Sequence, residues 1–392
     1  MASSKKDPST SDDPVTAAAS KAANDLVRRP RGTPRPMPAD YSISLDMKGS
    51  TDKWLMNPGG KRLHPMRGFE DQYTDIIDYI LRITHTIWEE KDMGYIYDTY
   101  SHNAHVTDDF GLQYGRDKIV ADTVHTINAF PDIRLYADDV IWAGNDEVGF
   151  YTSHRTVILG HNTGYSKYGP PTGKKVVFWC IANCLAIENE IFEEWVLYNN
   201  SAYLAQLGFD LPQLARRMAA QVDWRGFEDL RSGEAARLLG QGKPPLKPYI
   251  PSSAEPIEIF LREMLHQVWN WRKLGIIHQA YAPTLRFFGP TNRSFYGLGE
   301  YQSFVLSLLA LFPDLTFQVD DIYWMGNEKE GYRTSTRWSI VGTHRGAGVY
   351  GAPTGRHVYL WGITQHLIRD GKIHEEWMLF NEFELMQQIY RE

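Results

Sequence analysis

Residues 138–200 read DDVIWAGNDEVGFYTSHRTVILGHNTGYSKYGPPTGKKVVFWCIANCLAIENEIFEEWVLYNN, and residues 320–382 answer with DDIYWMGNEKEGYRTSTRWSIVGTHRGAGVYGAPTGRHVYLWGITQHLIRDGKIHEEWMLFNE. Asp139 matches Asp321, Trp142 matches Trp324, Arg155 matches Arg337, Trp179 matches Trp361, and Glu193-Glu194-Trp195 matches Glu375-Glu376-Trp377. Each pair is 182 residues apart, far beyond the 20–50-residue period of solenoid repeats, so each copy is expected to be a domain with its own core. The echo reaches upstream at an offset of 181, pairing His85 with His266, Trp88 with Trp269 and Tyr100 with Tyr281.

Within each copy the hydrophobic period changes along the chain. Apolar residues at helical spacing run from Ile76 to Trp88, and after Gly94 a shorter set follows at Ile96, Tyr97 and Tyr100. A strand is expected at about 103–108, then a helix stopped by Pro131, then four alternating strands at about 134–143, 147–160, 174–188 and 191–200. The order is helix, helix, strand, helix, then an antiparallel meander, which is an α+β pattern.

Outside the copies, residues 1–25 are small, polar and charged, and are expected to be a disordered tail. Residues 26–70 form a Pro- and Gly-punctuated arm whose Tyr41, Ile43, Trp54 and Met66 are expected to pack on a barrel or a neighbouring subunit. The domains are read as 71–208 and 257–392. Between them, 209–256 holds two amphipathic helical patterns, LPQLARRMAAQV and FEDLRSGEAARLL, and a proline-rich spacer.

The chain has 392 residues, 43% of them hydrophobic, 12 Trp, 22 Tyr and a net charge of −7. An acidic chain without a basic, aromatic-interleaved stripe argues against nucleic acid as a partner. Cys180 and Cys184, four residues apart on one strand, stand roughly 13 Å apart and out of disulfide reach. With no signal-peptide core and no apolar run of spanning length, the expectation is a cytoplasmic protein without a membrane partner.

Gly-Thr-His at 342–344, the PTG turns at 171–173 and 353–355, and the EIFEEWVLYNNSAYLAQLG and DGKIHEEWMLFN segments resemble the SnoaL-like polyketide cyclases of the NTF2-like superfamily. The resemblance covers roughly 75–208 and 257–390. It implies two tandem cone-shaped barrels, each a curved antiparallel sheet wrapped on a long helix. Members of that superfamily include cyclases, ketosteroid isomerases, dehydratases, epoxide hydrolases, lyases and proteins with no catalysis, so the fold alone does not name a reaction.

Site residues follow from the resemblance with gaps. Where SnoaL-like cyclases carry an acid/base aspartate after EEW, this chain has Asn199 and Asn381, which cannot exchange a proton near neutral pH. Ketosteroid isomerases place their base on the first strand, eight residues after an aromatic, and that count from Tyr100 reaches Asp108; in the second copy the position is Gly289. In an aromatic cavity a carboxylate moves toward the working range of a base. The alternative for Asp108 is a turn-capping carboxylate.

His105 and His154 mark the first copy as the equipped one, because the second has Arg286 and Thr336 there. Tyr168, in the loop before PTG, joins Asp108, His105 and His154 as a catalytic candidate. Asn199, Arg155, Tyr97, Tyr151, Trp179 and Asn183 are candidate substrate contacts, with a structural ion pair as the other reading for Arg155 and core packing for the tyrosines.

His102 and His105 have H-x-x-H spacing, but on a strand the rings diverge and no carboxylate completes a zinc motif, so no metal is expected. No GxGxxG, P-loop or GxSxG motif is present, and cofactor-free chemistry is the consistent reading. The expectation is an acid/base enzyme, a lyase, isomerase, cyclase or dehydratase, acting on a hydrophobic, aromatic small molecule, with carbon–carbon lysis preferred. Lyases that deformylate lignin-derived diarylpropane diols illustrate that class. The competing expectation is a non-catalytic tandem barrel for ligand binding or assembly, and in either case a homo-oligomer.

Overall fold

The computed structural model describes residues 43, 44, 51, 55, 60–108, 111–222 and 243–391. The expected tail at 1–25 and the second linker helix lie outside these residues, as does most of the arm.

Helix α1 (Ile76–Trp88) begins where the Asp75 carboxylate accepts hydrogen bonds from the backbone N–H groups of Ile77 and Asp78. Its Ile76, Ile77, Ile80, Ile83 and Ile87 make one buried stripe. A 3₁₀ turn (Met93–Tyr95) and helix α2 (Ile96–Thr99) lead into β1 (Tyr100–Asp108), β2 (Gly111–Tyr114) and α3 (Arg116–Ala129). Strands β3 (Arg134–Asn145), β4 (Gly149–His161), β5 (Lys175–Ile187) and β6 (Glu190–Tyr198) follow, then α4 (Asn200–Leu207) and α5 (Leu211–Ala219).

The second copy repeats the plan with α6 (Pro256–Leu265), a π-helical turn (His266–Asn270), α7 (Gly275–Ala280), β7 (Tyr281–Gly289), β8 (Arg293–Tyr296) and α8 (Leu298–Leu311). It closes with β9 (Thr316–Asn327), β10 (Gly331–Thr343), β11 (His357–Arg369), β12 (Lys372–Phe380) and α9 (Glu382–Tyr390).

Each copy builds one six-stranded sheet, in the orders β2-β1-β6-β5-β4-β3 and β8-β7-β12-β11-β10-β9. β1 runs parallel to β6, and β7 to β12, while the remaining pairs are antiparallel. The fold is therefore two tandem NTF2-like α+β domains, with mixed sheets rather than purely antiparallel ones. At the β3–β4 hairpin Gly144 has φ +103°, and a Cβ there would strike the Gly149 carbonyl; Gly326 and Gly331 repeat the arrangement.

The two sheets meet through their outer faces about an approximate two-fold axis. Ser153 and Ser335, equivalent residues of the two copies, sit on it with their hydroxyls 2.9 Å apart. Around them contacts come in mated pairs. Trp179 packs edge-on to Trp377 at 5.4 Å and Trp361 to Trp195 at 5.2 Å. Arg155 lies 4.0 Å over Trp377 and Arg337 lies 3.9 Å over Trp195. The mating is broken by Arg333, which pairs with Asp139 at 3.0 Å, and by Tyr323, which donates to the Thr152 carbonyl.

The described part of the arm packs on the first domain of the same chain. Ile43 is buried and its carbonyl accepts from the Trp142 indole at 2.9 Å, Thr51 donates to the Ala137 carbonyl, and His64 stacks on Trp142. No helix among the described residues is long and apolar enough to cross a membrane.

Candidate active site

Because Ser153 and Arg155 of β4 face the second domain, strand alternation turns Thr152, His154 and Thr156 toward the interior of the first. The same argument applies to β6, where Trp195 and Leu197 enter the inter-domain core and Glu194 and Val196 face inward. On β1, Val106 is opposite Glu194, so Asp108 shares the inner face.

Four groups converge there in two bonded pairs. The Tyr100 hydroxyl donates to Glu194 Oε2 at 3.0 Å, and Gln113 of β2 donates to Asp108 Oδ2. Glu194 retains some solvent access, yet burial among protein atoms pushes its pKa up to about 7. Tyr100 opposes that rise by donating to the ionised form, and the negative Asp108 adds to it. Cys184, directly opposite Glu194 on β5, has its thiol pushed up by burial and by the Glu194 charge, so it stays protonated.

His154, two positions along β4 from the strand residue opposite Cys184, is 5% exposed. Its Nε2 lies 2.7 Å from Thr156 Oγ1, and burial pulls its pKa down to about 4, keeping the ring neutral at physiological pH.

The structure thus brings Asp108 and His154 to one inner face and leaves the other expected residues off it. His105 pairs with Glu193 on the opposite face of β1, because the bulge in this strand falls before it, and its ring meets Tyr114 edge-on at 5.0 Å. Arg155 is the structural ion pair, with Nε 2.7 Å from Asp138 and Nη1 2.6 Å from Gln365 of the second domain. Trp179 and Asn183 also belong to that contact, Asn183 donating to Ser335 at 3.3 Å. Tyr151 faces Tyr323 of the second domain at 6.2 Å.

Tyr168 is buried between Tyr203 and Phe383, bridging the two domains. Tyr97 is 43% exposed beneath the Arg116 guanidinium. Asn199 precedes α4 and accepts from the Thr291 backbone N–H at 2.9 Å, again in the inter-domain contact.

Glu194 and Tyr100 were not among the sequence candidates. The signal existed, since both are repeated, as Glu376 and Tyr281.

The second domain keeps that pair and loses the rest. Tyr281 donates to Glu376 Oε2 at 2.8 Å and Tyr301 at 3.1 Å, with His366 in place of Cys184, and all four side chains are buried. Where the first domain has Thr156 and Cys180, the second has Trp338 lying on Gly362, stacked 5.2 Å from Phe317. Trp269, Phe317, Trp338 and Phe380 line the small apolar cavity that remains. Among the described residues no group of three His, Cys, Asp or Glu is placed to hold a metal ion.

A family model described as SnoaL-like polyketide cyclase matches residues 79–207 and 259–389. Among solved structures, similarity extends to a protein from Jannaschia sp. CCS1 provisionally described as a SnoaL-like polyketide cyclase, 17% identical over 36% of this chain and 99% of that one, TM-score 0.31. It extends also to IdmH from Streptomyces antibioticus (23% identical, 32% of this chain and 91% of that one, TM-score 0.28) and to TsrD from Streptomyces laurentii (16%, 35% and 98%, TM-score 0.30). No curated protein matches the chain.

Proposed function

The chain belongs to the SnoaL-like polyketide cyclase family, in two copies, and from that premise we propose that its first domain is a cofactor-independent acid/base enzyme acting on an aromatic, hydrophobic small molecule. The observation that carries the reading is the juxtaposition of Asp108 and Glu194 on one inner face, with Tyr100 bonded to Glu194. Two carboxyl groups held in different environments divide the roles of base and acid. Asp108 takes the substrate proton. Glu194, with its pKa near 7, returns one, and Tyr100 holds it in position. Neutral His154, with Nε2 bonded to Thr156, has its other ring nitrogen for a substrate oxygen.

This set serves isomerisation, cyclisation, dehydration or carbon–carbon lysis. For a β-hydroxy carbonyl substrate, Asp108 removes the hydroxyl proton, the adjacent carbon–carbon bond breaks to release an aldehyde or ketone, and Glu194 protonates the carbon left behind. Lysis of a diarylpropane-type diol, which has no carbonyl, would use the same two groups differently: Asp108 removes the terminal hydroxyl proton, formaldehyde leaves, and the released electron pair forms a carbon–carbon double bond as the second hydroxyl, protonated by Glu194, departs as water. The apolar, aromatic interior of the second domain supports a different reading for that copy: a barrel kept for assembly, which presents its sheet to the first.

The test compares wild type with Asp108→Asn and Glu194→Gln on a panel of aromatic β-hydroxy and keto compounds, following products by mass spectrometry and folding by circular dichroism. Loss of at least about 100-fold in rate from each folded variant is expected. Turnover that survives both substitutions would overturn the assignment.

A further inference from the structure

One 14-residue helix lies against the first strand of each sheet, α3 on β1 and α8 on β7, and the two match residue by residue at an offset of 182. Their ends are held alike. As the helices begin, Gly115 and Gly297, both at positive φ, donate to the Ala104 and Leu285 carbonyls at 2.9 and 2.8 Å. At the C-termini, Gly164 and Gly346 donate to the Ala129 and Leu311 carbonyls at 3.3 and 3.1 Å.

Their middles differ. α8 buries Tyr301, Phe304, Val305, Leu308, Leu309 and Leu311, whereas α3 buries only Thr123, Ile127 and Ala129. Where α8 turns Phe304 and Leu308 inward, α3 has Asp122 and Thr126, both open to water, with Asp122 paired to Lys118. Tyr301 also tethers α8, since its hydroxyl is bonded to Tyr281 at 2.7 Å and to Glu376 at 3.1 Å. Its counterpart on α3 is Ile119, which has no group to bond Tyr100 or Glu194. The sheet faces register the difference: Glu376, Tyr281 and Phe380 are buried, while their equivalents Glu194, Tyr100 and Tyr198 are each half-buried.

The local stability of an element follows the apolar surface that it buries. With its ends held and its middle short of apolar anchors, α3 can open without unfolding the barrel. We propose that α3 is a gate: its middle detaches from the sheet and admits a small molecule to the face carrying Asp108 and Glu194, and α8 is the same helix locked shut. That the uncovered face is an active site rests on the function proposed above; the opening does not.

Hydrogen exchange of the full chain, read by mass spectrometry, compares the two helices inside one molecule. Peptides of α3 are expected to exchange at least about 100-fold faster than those of α8, without acceleration by low urea, because a local opening exposes little surface. Cys180 reports on the interior. It stands where the second domain has Gly362 beneath Trp338, and Trp338 shares its cavity with Leu308, the counterpart of Thr126. Combining Ile119→Tyr, Asp122→Phe and Thr126→Leu rebuilds the α8 set on α3. In that variant α3 exchange should slow, and Cys180 labelling by methyl methanethiosulfonate, resolved from Cys184 by peptide mapping, should fall about tenfold or more. Exchange of α3 as slow as that of α8 overturns the proposal on wild type alone, even where the triple variant does not fold. Cys180 labelling that the folded triple variant leaves unchanged overturns it too. If α3 opens as expected and turnover survives Asp108→Asn, the gate stands and the catalytic reading falls. If α3 stays shut while Asp108→Asn abolishes turnover, the gate falls and the catalytic reading stands.

Discussion

Glu194 and His154 titrate in opposite senses, and their substitution should uncover a pH dependence that wild type conceals. Glu194 has its pKa moved from 4.5 to about 7. Between those values the unfolded chain has lost the proton and the native state retains it, so stability falls as pH rises. His154 has its pKa moved from 6.5 to about 4. Between those values the unfolded chain gains a proton that the native state refuses, so stability falls as pH drops. Each contributes a slope of about 1.4 kcal/mol per pH unit, and between pH 4.5 and 6.5 the two cancel.

Glu194→Gln removes one side of the balance. Relative to wild type, the variant should gain about 3 kcal/mol between pH 4.5 and 7 and hold that gain above pH 7. His154→Asn should leave the opposite slope, its stability falling relative to wild type's as pH climbs from 4.5 to 6.5. Urea denaturation of the three proteins at half-unit pH intervals reads both effects. Identical slopes for all three would refute the burial and charge argument on which the acid role of Glu194 depends. A Glu194→Gln protein that is more stable at pH 8 and inactive would show the strain of a working acid site.

Other consequences can be checked separately. Gly362→Ala would drive a methyl into the Trp338 ring and should cost about 1–3 kcal/mol in denaturation, with Trp338→Leu relieving most of it. Arg155→Ala strips Asp138, Gln365 and Trp377 of their shared cation and should destabilise the chain by about 1–3 kcal/mol, with faster proteolysis between the domains. Tyr281→Phe leaves buried Glu376 with Tyr301 as a donor and should cost about 1–2 kcal/mol by denaturation while leaving turnover unchanged. Turnover lost with Tyr281→Phe would move chemistry into the second domain.

The fold was legible in the sequence because the duplication displays each landmark twice and because period-3.6 and period-2 segments are long and separate. β2 was missed, being four residues long between Asp109-Phe110 and Gly115, too short for alternation to register. The parallel β1–β6 pairing was equally invisible, since it joins segments about 90 residues apart through sheet closure. Arg155, Trp179 and Asn183 were misplaced for a definite reason: both faces of each sheet are covered, one by its own helices and one by the other sheet. Under those conditions Trp179 on one face and Cys180 on the other are both apolar, and alternation no longer says which side is the interior. Asp108 was accessible through its spacing from Tyr100 and His154 through its lack of a counterpart in the second copy, whereas Glu194 escaped because it had one.

In a symmetric dimer of identical barrels, every substitution is written twice. A tryptophan that fills one cavity fills both, and the pair cannot lose one site and keep the other. The serines facing each other on the axis, Ser153 and Ser335, belong to a single chain, so here the two halves are free to diverge. Trp338 over Gly362 is a change that an identical partner would have had to share, and covalent fusion lets one half place an indole where the other keeps Thr156 and Cys180.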